Sequence, residues 1–470
     1  MEKKTLVLYP SLGVGHLNPM VELAKALLRH GLAVLIAVVN PPDADAVSVA
    51  AVARLAAANP AIAFRLLPSP ASPDDLTTHP VRRSLDTLRL ANPALRDLLR
   101  SLPAGALVLD MFCVDAIDVA AELGVPAYFF FPSAASDLAV FLNLPYFYPT
   151  VPSFRDMDKN TPVHCYSGMP PIRAVDMLQS VQDKESEATK VRLYQFKRMA
   201  EGKGILINTF DWLEPKALKA LHDGVCVPGK TTPRVYCIGP LVNTGNKSED
   251  SGGGERHECL EWLDKQPKQS VVFLCFGSLG AFSAAQLKEM AHGLERSGHR
   301  FLWAVRSPRE EQSQFPEPDL ERLLPAGFLE RTKDRGMGMV VKSWAPQSEV
   351  VRHEAVAAFV THCGWNSTLE AMMAGLPMIC WPLYAEQSMN KVFLVEEWKI
   401  AVEMEGYEEF VKAEEVEAKV RLVMNAEEGK MLRERLAVVK EKAMEAIKEG
   451  GSSEAGFVKF LSDLGQSSSS

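Results

Sequence analysis

The sequence predicts an α/β protein built from two doubly wound, Rossmann-like domains of similar size. Two observations carry that expectation. Short apolar runs alternate with longer amphipathic stretches over most of the chain. A polar, glycine-rich interruption at residues 241–256 is followed by a restart of the same alternation.

In chain order, Leu6–Tyr9, Ala33–Val39, Ala106–Asp110, Ala127–Phe131 and Ile205–Asn208 read as strands. They are almost continuously apolar, as strands covered on both faces of a parallel sheet must be. The amphipathic stretches Met20–Arg29 and Asp115–Leu123 read as helices between some of them. The segment LVNTGNKSEDSGGGER, residues 241–256, has no apolar period and reads as a linker. After it, Val271–Phe276, Phe301–Arg306, Gly338–Val341, Ala357–Thr361, Met378–Trp381 and Ile400–Met404 read as a second set of strands. Glu414–Glu449 reads as two helices with charged solvent faces, and the four terminal serines as a frayed end. The first domain is thus expected over 1–240 and the second over 257–450.

Composition narrows the function. The 470 residues are 47% hydrophobic and 23% charged, which argues against disorder, collagen-like repeats and disulfide scaffolds. With 51 basic and 59 acidic side chains the net charge is −8, so nucleic acid is not an expected partner. The eight cysteines form no CxxC pair and read as scattered reduced thiols. Met1–Pro10 lacks a signal-peptide core. The most apolar stretch, Ala127–Val140, is broken by Pro132 and Asp137, so no membrane insertion is expected. These readings point to a soluble, cytoplasmic protein.

Chemistry-bearing residues gather after strands. Pro10–His16 ends the first strand and leads into a helix expected to begin near Asn18–Pro19. Gly13 and Gly15 match part of a dinucleotide fingerprint, but Asn18 replaces the third glycine and no acidic residue ends the second strand, so NAD is not expected. His16 reads either as a general base at a strand tip or as a helix cap. Asp110 ends another strand and reads as a partner for a histidine or as an N-cap, a role for which Asp115 and Asp118 compete. In the second half, His362–Ser367 forms a glycine-containing turn opening a helix, which suits an anion or ordinary capping by Asn366 or Ser367. His362-Cys363 lacks the spacing of a metal pair, and no metal site is expected. Trp344 reads as a ligand platform or a core tryptophan. Glu386 and Gln387 suit a hydroxyl-rich ligand or a solvated loop. Gly277-Ser278 after Phe276 is a second candidate phosphate turn.

Read together, Trp344 to Gln387 resembles the signature box of plant secondary-product glycosyltransferases, in the pieces WAPQSEVV, HCGWNSTLEAMMAGLPM and WPLYAEQ. GHLNP, the VLD ending at Asp110, INTFDWLE and YCIGPL extend the resemblance over nearly the whole chain. The sequence is similar to the plant UDP-glycosyltransferases of glycosyltransferase family 1. That resemblance implies the GT-B arrangement, two Rossmann-like domains facing across a cleft, with a C-terminal helix in 451–470 returning to the first domain. It implies His16 as general base and Asp110 as its partner. Trp344 would stack on uracil and Ala345 would bond it through the backbone. Gln347 and Glu370 would hold the ribose. Ser278, His362, Asn366 and Ser367 would surround the diphosphate. Trp365, Glu386 and Gln387 would contact the sugar, with Ser133 reaching it from the first domain. Glu386 stands where the family commonly has aspartate.

The implied reaction transfers glucose from UDP-glucose, with inversion and without a metal or other cofactor, to a flavonoid or related small phenol. Phe112, Phe141, Leu144 and Tyr148 are expected as apolar walls of the acceptor pocket, and Tyr166–Met177 resembles the acceptor loops of flavonoid glucosyltransferases. A monomer is expected. Attack by carbon rather than oxygen, another small phenol, xenobiotic or hormone as acceptor, and a UDP-sugar-binding protein without activity are the alternatives.

Overall fold

The structure, a computed structural model, describes residues 4–41, 46–70, 79–166, 168–242, 256–312 and 317–466. It divides into two compact units, residues 1–242 with 445–470, and residues 243–444. Most of the expected linker, residues 243–255, and the terminal serines lie outside the described residues.

The first unit is built on seven strands: β1 (Thr5–Tyr9), β2 (Ala33–Val39), β3 (Ala63–Leu67), β4 (Ala104–Asp110), β5 (Ala127–Phe131), β8 (Gly204–Ile207) and β9 (Arg234–Cys237), with a separate two-stranded ribbon of β6 (Pro162–Val163) and β7 (Ile172–Arg173). The sheet order is β3-β2-β1-β4-β5-β8-β9, and every pairing in it is parallel. The apolar runs explain the central strands, since β4 and β5 are buried almost end to end. β3 and β9 are not among the strands expected from sequence. Three of five β3 residues are exposed, and β9 begins with an exposed arginine, so neither shows a continuous apolar run.

One face of this sheet packs Leu6, Leu8, Val108 and Phe130 against Met20, Leu23 and Leu27 of the helix Val14–Arg29. The C-terminal helix Ser452–Gln466 adds Phe457, Phe460 and Leu464 to the same core. Phe460 stands perpendicular to Tyr128 at 5.1 Å. Asp463 accepts hydrogen bonds from Tyr236 Oη at 2.7 Å and Arg234 Nη1 at 2.6 Å.

The second unit carries β10 (Val271–Cys275), β11 (Arg300–Val305), β12 (Gly338–Lys342), β13 (Val356–Thr361), β14 (Met378–Cys380) and β15 (Ala401–Glu403). Their order is β12-β11-β10-β13-β14-β15, again parallel throughout. Its core sets Val272, Leu274, Trp303 and Val360 against Met290, Leu294 and Val420 of the covering helices. Both units are therefore doubly wound. Each has a topological switch point, where connections leave two adjacent strands in opposite directions and a crevice opens beyond their C-terminal ends. In the first unit that point lies between β1 and β4, and in the second between β10 and β13.

Candidate active site

The first switch point holds a charged pair. Asp110 is the last residue of β4 and has no exposed surface. β1 and β4 pair in register up to Tyr9 opposite Leu109, so the segment after β1 meets the end of β4. His16 Nδ1 lies 2.8 Å from Asp110 Oδ2. The other carboxylate oxygen accepts the Phe112 N–H at 3.0 Å. A buried carboxylate accepts only, so His16 presents Nδ1–H to it and Nε2 becomes the basic nitrogen.

The helix start differs from the expectation. It begins at Val14, with Pro19 inside it, so His16 sits in the first helical turn rather than before the helix. Pro19 reads as a helix start because proline is favoured there, but in the second turn it removes only one backbone bond. Asp110 caps no helix. Asp115 holds the N-cap of Ala116–Glu122, and without a side-chain hydrogen bond.

Of the four expected acceptor walls, Phe112 meets this pair, its ring perpendicular to His16 at 5.1 Å. Phe141, Leu144 and Tyr148 are buried in side-chain packing. Phe141 stacks on Phe196 at 4.5 Å and Tyr148 on Phe154 at 4.4 Å. Over Ala135–Leu144 the helix Ala135–Phe147 is buried on all sides, so the apolar face of its sequence does not mark which side would line a pocket. Ser133 is buried, and its hydroxyl donates to Asp137 Oδ2 at 2.8 Å. The expected acceptor loop, Tyr166–Met177, contains β7, which pairs antiparallel with β6 just before the loop, and an ion pair of Arg173 with buried Asp176 at 2.7 Å; Ser167 lies outside the described residues.

The second switch point brings a helix N-terminus to the end of β13. β13 ends at Thr361, and Cys363 follows at φ 64°, a left-handed turn unusual for a residue with a side chain. The helix Trp365–Ala374 starts at Gly364 with no side-chain cap hydrogen bond, and the first N–H groups of a helix have no intrahelical acceptor. Capping by Asn366 or Ser367 is thereby ruled out. Both lie inside the helix, and Ser367 Oγ accepts from Gln347 Nε2 at 2.9 Å.

His362 is 6% exposed, and its Nδ1 has no partner among the described residues. Burial pushes its pKa down to about 4, so it is neutral at pH 7 and can donate a hydrogen bond but brings no charge. The glycines beside it make room for the ring. A Cβ on Gly277, which has φ 72°, or on Gly364 would come within 2.6 Å of His362 Nε2. Ser278, next to Gly277, is exposed.

Around this loop, Gln347 Nε2 donates to Glu370 Oε2 at 2.6 Å, and Ser348 Oγ donates to the other Glu370 oxygen. Trp344 is 62% exposed, with His257 against it at 5.6 Å, so the core reading of this tryptophan fails. Ala345 is buried. The Trp365 ring is buried beside Trp398 at 5.9 Å. Gln387 Oε1 accepts the N–H groups of Leu383 and Tyr384, both at 2.9 Å. Its oxygen is thus committed and its amide hydrogens are what it can offer a ligand. Glu386 immediately precedes the helix Gln387–Val392.

One buried acid had no assigned role in the sequence. Glu214, within INTFDWLE, accepts the N–H groups of Ala135 and Ser136 at 2.8 Å each and the Thr209 hydroxyl at 2.5 Å. It caps a helix far from it in sequence, which no local pattern could show.

Residues 252–445 match the family model described as UDP-glucoronosyl and UDP-glucosyl transferase. The chain is 45% identical to an anthocyanidin 5,3-O-glucosyltransferase of a Rosa hybrid cultivar, covering 97% of this chain and 98% of that protein. The chain belongs to the UDP-glycosyltransferase family. A phloretin 2'-O-glucosyltransferase of Malus domestica is 42% identical over 98% of this chain and 99% of that one. Among solved structures, Phytolacca americana UGT2 complexed with UDP-2fluoro-glucose and pterostilbene matches with a TM-score of 0.86 and 35% identity, over 98% of this chain and 100% of that one. Like those relatives, this UDP-glycosyltransferase has the two-domain α/β fold of the GT-B class.

Proposed function

We propose that this UDP-glycosyltransferase transfers glucose from UDP-glucose to a hydroxyl of a flavonoid or related phenol, with His16 as the general base. The observation that carries the proposal is the 2.8 Å contact of His16 Nδ1 with fully buried Asp110 at the switch point. Asp110 fixes the ring with Nε2 available for a proton. The acceptor hydroxyl gives its proton to Nε2 as its oxygen attacks the anomeric carbon on the face opposite UDP. One C–O bond forms, the bond to UDP breaks, and configuration inverts to a β-glucoside. Asp110 stabilises the imidazolium that results.

The second-unit residues hold the donor. Trp344 offers its exposed face to uracil, beside the backbone of Ala345. Gln347 and Glu370 hold the ribose, and their mutual hydrogen bond orients the carboxylate. The first N–H groups of the helix Trp365–Ala374, with Ser278, Asn366, Ser367 and neutral His362, take up the charge that develops on the leaving diphosphate. Gln387 donates and Glu386 accepts at the sugar hydroxyls. No metal or other cofactor enters this scheme. All eight cysteines are free and buried, and no helix among the described residues is long and apolar enough to cross a membrane, which supports a cytoplasmic setting.

The test incubates the purified protein with UDP-glucose and a panel of chalcone-type, anthocyanidin and simple phenols. UDP release is followed, and the product is characterised by mass spectrometry and NMR. A β-O-glucoside of a flavonoid or related phenol is expected, and His16→Ala should lower turnover by about 10²–10⁴. No UDP release across the panel, or a His16→Ala variant that turns over normally, would overturn the proposal.

A further inference from the structure

The turn that carries Asp110 is gripped from a distant helix. Glu187–Met199 sends two buried polar side chains toward it, Arg192, 8% exposed, and Gln195, with no exposed surface. The Arg192 guanidinium lies 4.6 Å from the centre of the Phe112 ring. That ring stands perpendicular to the His16 imidazole at 5.1 Å. The edges of the guanidinium are also used. Arg192 Nε donates to Ser180 Oγ at 3.2 Å, and Nη1 donates to Gln195 Oε1 at 2.9 Å. Gln195 Nε2 in turn donates to the Met111 carbonyl at 2.8 Å. Arg192 therefore reaches residues 110–112 by two routes, one through the Phe112 ring and one through Gln195. Phe112 itself donates its N–H to Asp110.

We propose that Arg192 is a positioning residue for the His16–Asp110 pair, holding the Asp110–Phe112 turn so that the carboxylate stays on Nδ1. The proposal rests on the general-base reading of His16. A planar guanidinium can stack by its face while its edges make a fork of hydrogen bonds, and lysine cannot do both. Loss of this grip loosens the base without touching the proposed donor residues, which belong to the second unit. The consequence is specific. A misplaced base slows acceptors that must lose a proton during attack, and matters less for a phenol already ionised.

The experiment measures kcat for wild type, Arg192→Met, Arg192→Lys and His16→Ala at saturating UDP-glucose. Two acceptors are used, a phenol of ordinary acidity and an acidic nitrophenol ionised at the assay pH. Arg192→Met is expected to lose about 10–50-fold on the ordinary phenol, a fraction of the ~10²–10⁴ of a general base, and less than about 3-fold on the nitrophenol by the same reasoning. Arg192→Lys should fall between wild type and Arg192→Met, and the Kd for UDP should not change. Should Arg192→Met fail to fold, Arg192→Lys carries the same two-acceptor comparison. Equal loss on both acceptors, or kcat within twofold of wild type on the ordinary phenol, would overturn the proposal. The His16→Ala control separates the two levels. If it shows the acceptor dependence and the Arg192 variants do not, this proposal alone falls. If it lacks that dependence, the general-base reading falls and takes the proposal with it.

Discussion

Trp344 and His362 show how environment sets the work of a single side chain. An indole 62% exposed contributes little to a core, so Trp344→Ala should leave the melting temperature near that of wild type. It should weaken UDP by ~1–3 kcal/mol if the ring stacks on the base. Calorimetry with UDP, run beside a melting curve, checks both; unchanged UDP affinity would remove the platform. His362 is the opposite case. Its folded pKa is pushed down to about 4 from an ordinary 6.5. Between those values the unfolded chain binds a proton that the folded chain refuses, so stability rises with pH across the window. The contribution is fully present above the unfolded value and is lost as pH falls toward the folded one. Urea unfolding of wild type and His362→Gln at pH 7 and pH 4.5 should show a pH penalty smaller in the variant by ~1–3 kcal/mol. Equal penalties would mean that His362 is not buried neutral.

Helix ends and strand ends do the positioning. The helix Ala135–Phe147 has no local cap, and Glu214 supplies one from across the first unit. Burial pushes the Glu214 carboxyl up, and hydrogen bonds from Thr209, Ser136 and Ala135 oppose that effect. Glu214→Ala leaves two backbone N–H groups and a hydroxyl without their acceptor, and should cost ~2–4 kcal/mol of unfolding free energy. Glu214→Gln keeps one acceptor oxygen and should cost less. Denaturant titration of both variants decides, and a Glu214→Ala protein as stable as wild type would contradict the capping role. The glycines Gly277 and Gly364 show another limit of local reading. In sequence they suggest a loop open to phosphate. In the structure their missing side chains are where the His362 ring lies, a contact between two strand ends that no single segment reveals.

At the scale of the molecule, the chain leaves the first unit after Val242 and returns to it at Glu445. The returning helix completes a core rather than decorating it, since Phe460 has no exposed surface and contacts Tyr128 and Tyr236. Phe460→Ala should therefore destabilise by ~3–5 kcal/mol, as read by chemical unfolding of the first unit's tyrosine and tryptophan signals. A loss below about 1 kcal/mol would mean that the helix is dispensable to that core. The donor site makes a prediction of its own. In the proposed scheme the helix N–H groups and polar side chains take up the diphosphate charge, and no metal is needed for it. Turnover should survive exhaustive chelation. Activity lost to EDTA and restored by Mg²⁺ or Mn²⁺ would refute the metal-free scheme.

The alternation of strands and helices, the two doubly wound halves and the family were all legible along the chain, because they are written in local periodicity and in a contiguous block from Trp344 to Gln387. His16 and Asp110 were each legible as polar residues close to strand ends. Local reading of either segment could not show that they meet; the family resemblance implied the pair, and the assembled sheet supplies the contact. They lie 94 residues apart, and the parallel register of β1 and β4 brings one to the other. The same is true of core and site. Trp344 and Phe141 are both large aromatics beside apolar runs, yet one is exposed and the other buried. A side chain's burial depends on which elements pack over it, and that depends on topology rather than on its neighbours in the chain.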